Sequence, residues 1–258
     1  MTIVAVINQK GGVGKTTTAV NLADLATVAG YKVLLMDTDA QANCADGLGL
    51  ENGPEMYRLL VDEDPLDSLV IEARPNLRLL RSDKSILLAE TIVQGRDFRE
   101  YCLANALENH PYDLVLIDCA PSAHVLHTAA MVAADFILVP TELAQFAVKG
   151  IFEVNHSLAS IQRMTSSRCQ LGGILPTKLN RSKDESHAQL ANLVDVFSGL
   201  VWPPIPTDAA VERSNRAGKT LREYRPATPA LKGYKAGQEV RVGGYEQAFQ
   251  RLQEVMDL

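Results

Sequence analysis

Short apolar runs alternate with longer periodic segments along the chain. Runs of four to six residues in which nearly every side chain is apolar predict strands that are buried on both faces. Segments with apolar residues three or four positions apart predict helices. The predicted strands are residues 2–7, 32–36, 77–80, 114–117, 136–139, 171–175 and 200–205. The predicted helices are residues 16–29, 85–94, 98–109, 146–164, 185–197 and a closing helix within 243–258.

This alternation of strands and helices predicts an α/β fold, doubly wound, with a mostly parallel sheet flanked by helices. We expect one domain over residues 1–258, because no linker, repeat or low-complexity tract interrupts the pattern. Hydrophobic residues make up 47% of the chain and charged residues 22%, which are values of a globular protein. Prolines 203, 204 and 206 place the end of the last predicted strand at an edge or in a loop.

A glycine-rich loop separates the first predicted strand from the first predicted helix. The general phosphate-loop pattern G-x-x-x-x-G-K-[ST] requires glycine at position 9, where this chain has Gln9. Glycines 11, 12 and 14 still allow the backbone N–H groups to surround a phosphate at a helix N-terminus. Lys15 can reach the β- and γ-phosphates, and the Thr16 hydroxyl can ligate Mg²⁺. The residues predicted to bind ATP here are Lys10, Gly11, Gly12, Val13, Gly14, Lys15, Thr16 and Thr17.

Acidic residues stand at the ends of two predicted strands. Asp37 and Asp39 follow the second strand, at the edge of the sheet where ligands bind in such folds. Asp118 follows the apolar run 114–117, which is the Walker B arrangement of one carboxylate delivered to a metal. The sequence therefore predicts a magnesium site that includes Thr16 and Asp118.

Together these motifs resemble the deviant Walker A ATPases of the ParA/MinD group of P-loop NTPases, closest to the ParA (Soj-like) partition ATPases. The second loop lysine, Lys10, is the feature that sets this group apart. The resemblance covers residues 2 to about 231, and its N-terminal motifs are the most specific. The group usually has Asp-x-Asp-Pro-Gln and often Cys-Pro-Pro-Ser, where this chain has Ala40 and Ala120 in place of a proline. The segment 232–245 does not fit the pattern of the group.

The resemblance also implies roles for single residues. Lys10 would reach across a dimer to the ATP of the partner subunit, which makes dimerisation depend on ATP. Lys10, Lys15 and Asp39 would be catalytic, with Asp39 positioning the attacking water. Asp37 would help around Mg²⁺. In the group, the adenine is held at two places that here contain Thr177, Pro206 and Asp208.

Basic residues are concentrated between positions 213 and 235. Seven basic residues stand there against one acidic residue, Glu223, whereas the whole chain has a net charge of −6. This asymmetry indicates an anion-binding face, with a solvated surface of scattered salt bridges as the alternative. By resemblance, the anion is DNA bound without sequence preference. The residues predicted to bind it are Arg181, Lys183, Arg213, Arg216, Lys219, Arg222 and Arg225.

The function implied by the resemblance is that of a partition ATPase. An ATP-dependent sandwich dimer would bind non-specific double-stranded DNA and position or segregate plasmid or chromosome DNA. A ParB-like centromere-binding partner would stimulate its slow ATP hydrolysis. We expect a cytoplasmic protein, because the four cysteines form no CxxC pair and no secretion leader precedes the first strand. The resemblance implies that the protein is associated with the nucleoid.

Three other interpretations stay open. A positioning ATPase for a protein cargo, such as a carboxysome or a chemotaxis cluster, would have nearly the same sequence. A MinD-like membrane regulator would need a basic amphipathic helix, whereas the closing helix carries Arg251 against three acidic residues, so we expect no membrane binding. An iron–sulfur carrier or nitrogenase-type reductase would need cysteines at set places, and only Cys119 lies close to the predicted site.

Overall fold

A seven-stranded sheet forms the centre of the computed structural model, which describes residues 1–122, 124–144, 147–236 and 240–256. Its strands are β1 (Thr2–Val6), β2 (Val33–Asp37), β3 (Ile71–Arg74), β4 (Leu77–Leu80), β5 (Leu114–Asp118), β6 (Phe136–Glu142) and β7 (Gln170–Thr177). They lie in the order β3-β4-β2-β5-β1-β6-β7, and every neighbouring pair is parallel except β3 and β4. The doubly wound, mostly parallel sheet is thus confirmed.

Helices cover both faces of this sheet. They are α1 (Lys15–Val28), α2 (Asn43–Leu48), α3 (Glu55–Tyr57), α4 (Leu66–Leu69), α5 (Ile86–Gln94), α6 (Cys102–Ala106), α7 (Val125–Ala133), α8 (Ala147–Met164), α9 (Asp184–Val196), α10 (Ala209–Arg216), α11 (Leu221–Tyr224), α12 (Pro229–Lys232) and α13 (Tyr245–Met256). A π-helical turn, Arg58–Asp62, continues α3, and a 3₁₀ turn, Arg99–Tyr101, leads into α6.

Alternate residues of the central strands belong to two different cores. Ile3 and Ala5 of β1 pack in a core formed with α5 to α9, whereas Val4 and Val6 pack in a core formed with α1, α2 and α10 to α13. Since successive side chains of a strand point to opposite faces, a strand between two cores must be apolar at every position. This is the physical reason for the uninterrupted apolar runs in the sequence.

Several predicted boundaries are wrong. Residues 200–205 form no strand: Val201 and Pro206 make only isolated bridges to Ile174 and Leu179, because proline lacks the N–H that a ladder requires. The predicted helix 98–109 consists of the 3₁₀ turn and α6, and ends at Ala106. The first residue of the predicted helix 146–164, and the last two residues of the closing helix, lie outside the described residues.

The segment 232–245 contains a small second sheet. Its two strands, β8 (Tyr234–Ala236) and β9 (Val240–Val242), pair with each other in antiparallel fashion and with no strand of the main sheet. After it, α13 packs its apolar face on the body of the protein, where Tyr245, Phe249 and Leu252 are buried. Among the described residues, no helix combines the length and the apolar character needed to cross a bilayer.

A buried carboxylate on α1 fixes the C-terminal segment to the body. Asp24 is 1% exposed, and its two oxygens accept hydrogen bonds from the guanidinium of Arg222 at 2.9 and 2.7 Å. The Thr220 hydroxyl donates to the same carboxylate at 2.9 Å. A nearby bond from the Leu221 N–H to the Asn21 side chain, at 2.9 Å, strengthens the junction. Arg222, which the sequence placed among the DNA contacts, is therefore occupied in holding the fold together.

We expect Arg222→Ala to lower the free energy of unfolding by about 2 kcal/mol, because it leaves the Asp24 carboxylate buried with only the Thr220 hydroxyl as a partner. Arg225→Ala is the matched control, since Arg225 is exposed and the change should stay within about 0.5 kcal/mol of the unaltered protein. Urea unfolding followed by circular dichroism measures both. Equal stability of the two variants would contradict the structural role of Arg222.

Candidate nucleotide-binding site

The loop between β1 and α1 has the backbone that a phosphate site needs. Gly12 and Gly14 have φ angles of 72° and 94°, in the left-handed region that side chains disfavour. Gly14 is also the N-cap of α1, and no side chain caps this end of the helix. The first amides of α1 therefore remain available as donors, at the end of the helix where the dipole favours negative charge.

Lys15 lies inside the loop. It is 7% exposed, and its Nζ donates to the backbone carbonyl of Lys10 at 3.4 Å. Burial lowers the pKa of Lys15, while the carboxylates of Asp118 and Asp39 act in the opposite direction. An ammonium in such a partly desolvated environment interacts with a phosphate much more strongly than an ammonium in water, because the effective dielectric constant is lower.

A cavity of about 430 Å³ opens in front of this loop. That volume lies within the range of sites for small molecules. Its lining comes from the glycine-rich loop, the start of α1, the segments after β2 and β5, α2 and α10. Its lining residues are Gly11, Gly12, Gly14, Lys15, Thr16, Thr17, Val20, Asp39, Gln41, Asn43, Asp46, Gly47, Pro121 and Asn215. Most of the predicted loop residues and Asp39 are thus brought together, as expected.

Asp118 has an oxygen that no protein group satisfies. The Thr16 hydroxyl donates to its Oδ2 at 2.6 Å, and the Cys44 thiol lies 3.4 Å from the same atom. Its Oδ1 is buried and has no hydrogen-bond partner among the described residues. Burial raises the pKa of Asp118, although the hydrogen bonds from Thr16 and Cys44 and the charge of Lys15 act in the opposite direction. A hard divalent cation, which prefers oxygen ligands, fits this carboxylate and the adjacent hydroxyl.

Asp37 has a different position beside the same centre. Its Oδ1 accepts the N–H of Asp39 and its Oδ2 the N–H of Cys44, each at 2.9 Å. Burial and the neighbouring Asp118 raise the pKa of Asp37. Ligand atoms of Asp37, Cys44 and Asp118 lie within 4.8 Å of one another. Asp37 therefore also braces the turn that presents Asp39, and its role at the metal stays a prediction.

Lys10, the second lysine of the loop, lies outside this cavity. Its Nζ is 3.3 Å from Glu142 at the end of β6, and Lys178 approaches the same carboxylate at 3.7 Å. These three side chains are partly exposed, and Lys10 and Glu142 border a second cavity of about 470 Å³. The two lysines of one loop thus occupy separate places, Lys15 inside the phosphate cavity and Lys10 on an accessible rim.

The residues predicted near the adenine have bonds of their own. The Thr177 hydroxyl donates to the Val13 carbonyl at 2.8 Å, so it holds the phosphate loop in place. Asp208 caps α10 through the Ala210 N–H at 2.9 Å and also accepts the Ala230 N–H at 3.1 Å. The cavity lining includes none of the three predicted adenine residues, Thr177, Pro206 and Asp208. Their contact with adenine stays a prediction.

The basic residues after position 212 are less free than their number suggests. Arg216 lies 2.5 Å from Glu212, Lys232 pairs with Glu246, and Arg222 pairs with Asp24. The other predicted contacts of this stretch are exposed and form no ion pair within the described parts of the chain: Arg213, Lys219 and Arg225. In the loop after β7, Lys183 is exposed and the Arg181 guanidinium lies 5.6 Å from the centre of the Tyr234 ring.

The sequence did not reveal every residue of the site. Asn215 lines the cavity, and its Nδ2 lies 3.5 Å from the Thr17 hydroxyl. It was missed because it stands between Arg213 and Arg216 in the sequence, where the basic residues indicated an anion-binding face. Asn43 and Asp46 also line the cavity. They belong to α2, a helix of six residues that is too short for a periodic pattern of apolar residues to predict it. Glu142 could have been found, because it stands at the end of a buried strand, where Asp37 and Asp118 were recognised.

Fold and site together define a P-loop nucleotide-binding protein with a second lysine in the loop. Residues 1–171 match the AAA_31 family model, described as an AAA domain. The chain is 34% identical to the chromosome partitioning protein ParA of Caulobacter vibrioides, over 86% of both proteins. It is also 34% identical to the chromosome-partitioning ATPase Soj of Thermus thermophilus, over 90% of this chain and 92% of that one. The chain therefore belongs to the ParA/Soj family of chromosome-partitioning ATPases.

Solved structures share the fold over most of the chain. The ATP complex of a McdA variant from Cyanothece superposes with a TM-score of 0.85 at 22% identity and covers 100% of this chain and 97% of that one. Cobyrinic acid a,c-diamide synthase from Mycobacterium smegmatis, with a bound ATP analogue and magnesium, has a TM-score of 0.74 at 29% identity, over 89% and 93% of the two chains. A McdA protein and a cobyrinic acid a,c-diamide synthase thus share this architecture, so the fold alone does not distinguish between such proteins.

We expect Thr177→Val to weaken the binding of ATP and GTP equally, because the lost hydroxyl supports the phosphate loop. The lost hydrogen bond to the Val13 carbonyl is worth about 1 kcal/mol, roughly fivefold in affinity. Thr165→Val is the matched control, since that hydroxyl donates to the Ile161 carbonyl in α8, far from the cavity. Equilibrium binding of fluorescent ATP and GTP analogues measures the effect. A loss restricted to ATP would show an adenine contact instead.

Proposed function

We propose that this protein is a ParA-type partition ATPase that binds Mg-ATP, dimerises on it and then binds DNA. The observation that carries the proposal is the separation of the two loop lysines. Lys15 is buried beside the phosphate cavity, whereas the Lys10 side chain is 58% exposed on the rim and pairs with the carboxylate of Glu142. A lysine placed this way can contact an anion on another molecule while its own loop holds a nucleotide.

The donor set supports a nucleotide triphosphate with magnesium. The loop amides and Lys15 face the cavity, and the Thr16 hydroxyl and the unpartnered oxygen of Asp118 would hold the metal. The cation would neutralise phosphate charge and draw electrons from the reacting phosphoryl group. The related synthase with a bound ATP analogue and magnesium has the same architecture at 29% identity.

Hydrolysis needs a group that orients water on the far side of the phosphate. Asp39 lines the same cavity as the loop, and its Oδ1 accepts the Gln41 N–H at 2.9 Å, which fixes its orientation. Asp37 holds the backbone of the same turn. Asp39 thus accepts a hydrogen bond from the attacking water, and Lys15 stabilises charge on the phosphate. We expect turnover to be slow until a partner accelerates it.

Dimerisation follows from the exposed Lys10. To reach the phosphates of a second subunit, the Lys10 ammonium must separate from Glu142. This ion pair is partly exposed, so breaking it costs little free energy. In the dimer, each ATP is then contacted by two lysines, Lys15 from its own subunit and Lys10 from the other. Because this contact requires ATP, the dimer forms only with the triphosphate.

DNA binding is placed on the exposed basic residues, and α10 connects them to the nucleotide. Asn215 contacts Thr17 at the cavity, while Arg213 and Arg216 belong to the same short helix. Dimerisation doubles the number of phosphate contacts, and affinity rises steeply with that number. A ParB-like centromere-binding protein that stimulates hydrolysis would then release the dimer from nucleoid DNA, which moves plasmid or chromosome cargo.

We expect Lys10→Gln to abolish the ATP-dependent dimer and to leave ATP affinity within about threefold, since the Lys10 side chain pairs with Glu142 and the backbone carbonyl that accepts Lys15 is kept in the variant. Light scattering coupled to size-exclusion chromatography, with ATP and with ADP, measures the dimer. Lys149→Gln is the matched control, because Lys149 is an exposed lysine that borders the same second cavity. A dimer that persists in Lys10→Gln would contradict the role of Lys10 across the interface.

We expect binding to non-specific duplex DNA with ATP but not with ADP, and a linear fall of log affinity with log salt concentration. Arg213→Glu combined with Arg216→Glu should remove it. Arg163→Glu combined with Arg168→Glu is the control, since these exposed arginines lie near the other end of β7. Fluorescence anisotropy across a salt series measures binding. No binding in either nucleotide state would overturn the DNA part of the proposal and leave the ATP site standing.

A further inference from the structure

Two helices that line the nucleotide cavity meet at their C-terminal ends. The helix α2 contributes Asp46 to the cavity lining, and α10 contributes Asn215. Each of these residues belongs to the last turn of its helix. The contacts that hold the two helix ends together therefore also determine how far apart these two polar side chains stand along the cavity.

The helix ends touch through the backbones of Gly49 and Gly218. A Cβ added to Gly218 would lie 2.4 Å from the Gly49 Cα, and a Cβ added to Gly49 would lie 2.9 Å from the Gly218 carbonyl oxygen. The φ angles of the two residues are 70° and 61°, which glycine adopts without strain. Because no side chain fits between the two residues, the hydrogen bonds that hold this junction come from a neighbouring element.

Arg74, the last residue of the edge strand β3, supplies those hydrogen bonds. Its Nη2 donates to the Leu48 carbonyl at 3.1 Å and to the Gly218 carbonyl at 3.3 Å, so one nitrogen joins the two helix ends. Its Nη1 donates to the Ala73 carbonyl at 2.7 Å. A cation at a helix C-terminus is favourable, because the unpaired carbonyls of the last turn carry partial negative charge.

A carboxylate partner holds the guanidinium in one orientation. The Glu223 carboxylate accepts the Arg74 Nε at 2.6 Å and the Arg74 Nη2 at 3.1 Å, and both side chains are 23% exposed. Glu223 is fixed in turn, because its Oε2 accepts the Thr220 N–H at 3.0 Å in the capping box of α11. A planar guanidinium in such a two-point contact has little freedom to turn. Arg74 is thus rigid enough to set the positions of the two carbonyls that it contacts.

We propose that Arg74 is a positioning residue for nucleotide binding, which holds the ends of α2 and α10 together so that Asp46 and Asn215 keep their places along the cavity. Arg74 itself is not among the described residues that line the cavity, so it acts through the two helices. Asn215 is the link to the nucleotide, because its Nδ2 lies 3.5 Å from the Thr17 hydroxyl at the start of α1. The inference rests on ATP binding at this site and is independent of the DNA part of the proposed function.

The test measures ATP binding and the steady-state kinetics of ATP hydrolysis in Arg74→Lys. Lysine keeps the positive charge, but its single nitrogen cannot reproduce the planar contacts with Glu223 and with both helix ends. We expect the Kd and the KM for ATP to rise about tenfold, since several hydrogen bonds of a charged group are lost. We expect kcat to stay within about twofold, because the loop lysine and the water-positioning carboxylate keep their own contacts.

Arg96→Lys is the matched control. The Arg96 guanidinium also donates to two carbonyls of a helical turn, those of Leu60 and Val61, but on the opposite face of the sheet from α2 and α10. This variant should bind ATP like the unaltered protein. Thermal unfolding of both variants shows that they fold. If both weakened ATP binding in proportion to their loss of stability, the effect would be general loosening and the inference would be overturned.

A double-mutant cycle tests whether Arg74 acts through Asn215. Arg74→Lys should weaken ATP binding less in the Asn215→Ala background than in the unaltered protein, because the group that it positions is already absent. Equal losses in the two backgrounds would overturn the inference. Unchanged ATP affinity in Arg74→Lys would overturn the positioning role alone, whereas an unaltered protein that binds no ATP would overturn the nucleotide site and the proposed function with it.

Discussion

The site depends on how two buried carboxylates are accommodated side by side. Asp37 and Asp118 end the adjacent strands β2 and β5, they are partners in the strand register, and each is 1% exposed. Burial raises the pKa of both carboxyl groups, and the charge of Asp118 raises the pKa of Asp37 further. Backbone N–H groups offset the charge on Asp37, and the Thr16 hydroxyl offsets part of that on Asp118. What remains is an oxygen that a metal–phosphate pair can satisfy, so cation and nucleotide fit this fold as one unit.

The sequence predicted the elements whose character depends on local pattern. Buried parallel strands need apolar side chains on both faces, and the loop needs glycine where φ is positive, so both are visible in the chain itself. The elements that it missed depend on distant partners. The edge strand β3 pairs only with β4, and its residues Ile71–Arg74 carry too few apolar side chains to be distinguished from a loop. The short helices α10 and α11 begin where Asp208 and Thr220 cap them, which no apolar period indicates.

The number of free basic side chains also depends on partners that are distant in the sequence. The composition of residues 213–235 predicts a strongly basic surface only if each basic side chain there is free of an acidic partner. Arg222 pairs with Asp24, which is 198 residues away, and Lys232 pairs with Glu246 across the base of the small second sheet. The basic face is therefore smaller than the sequence implies. Only the folded arrangement decides which charges reach the solvent.

A continuous set of contacts joins the nucleotide cavity to that face. Asn215 of α10 lies against Thr17, and the helix, about 12 Å long, carries Arg213 and ends near the cavity. At its other end Asp208 caps it and also accepts the Ala230 N–H of α12, the helix that leads into the small second sheet. A nucleotide shifts an equilibrium only through its different affinity for two states. In the function proposed above, the ATP-dependent dimer would supply that difference by doubling the number of basic residues available to one duplex. The coupling of ATP to DNA would then come from the number of phosphate contacts and would require no large change within a subunit.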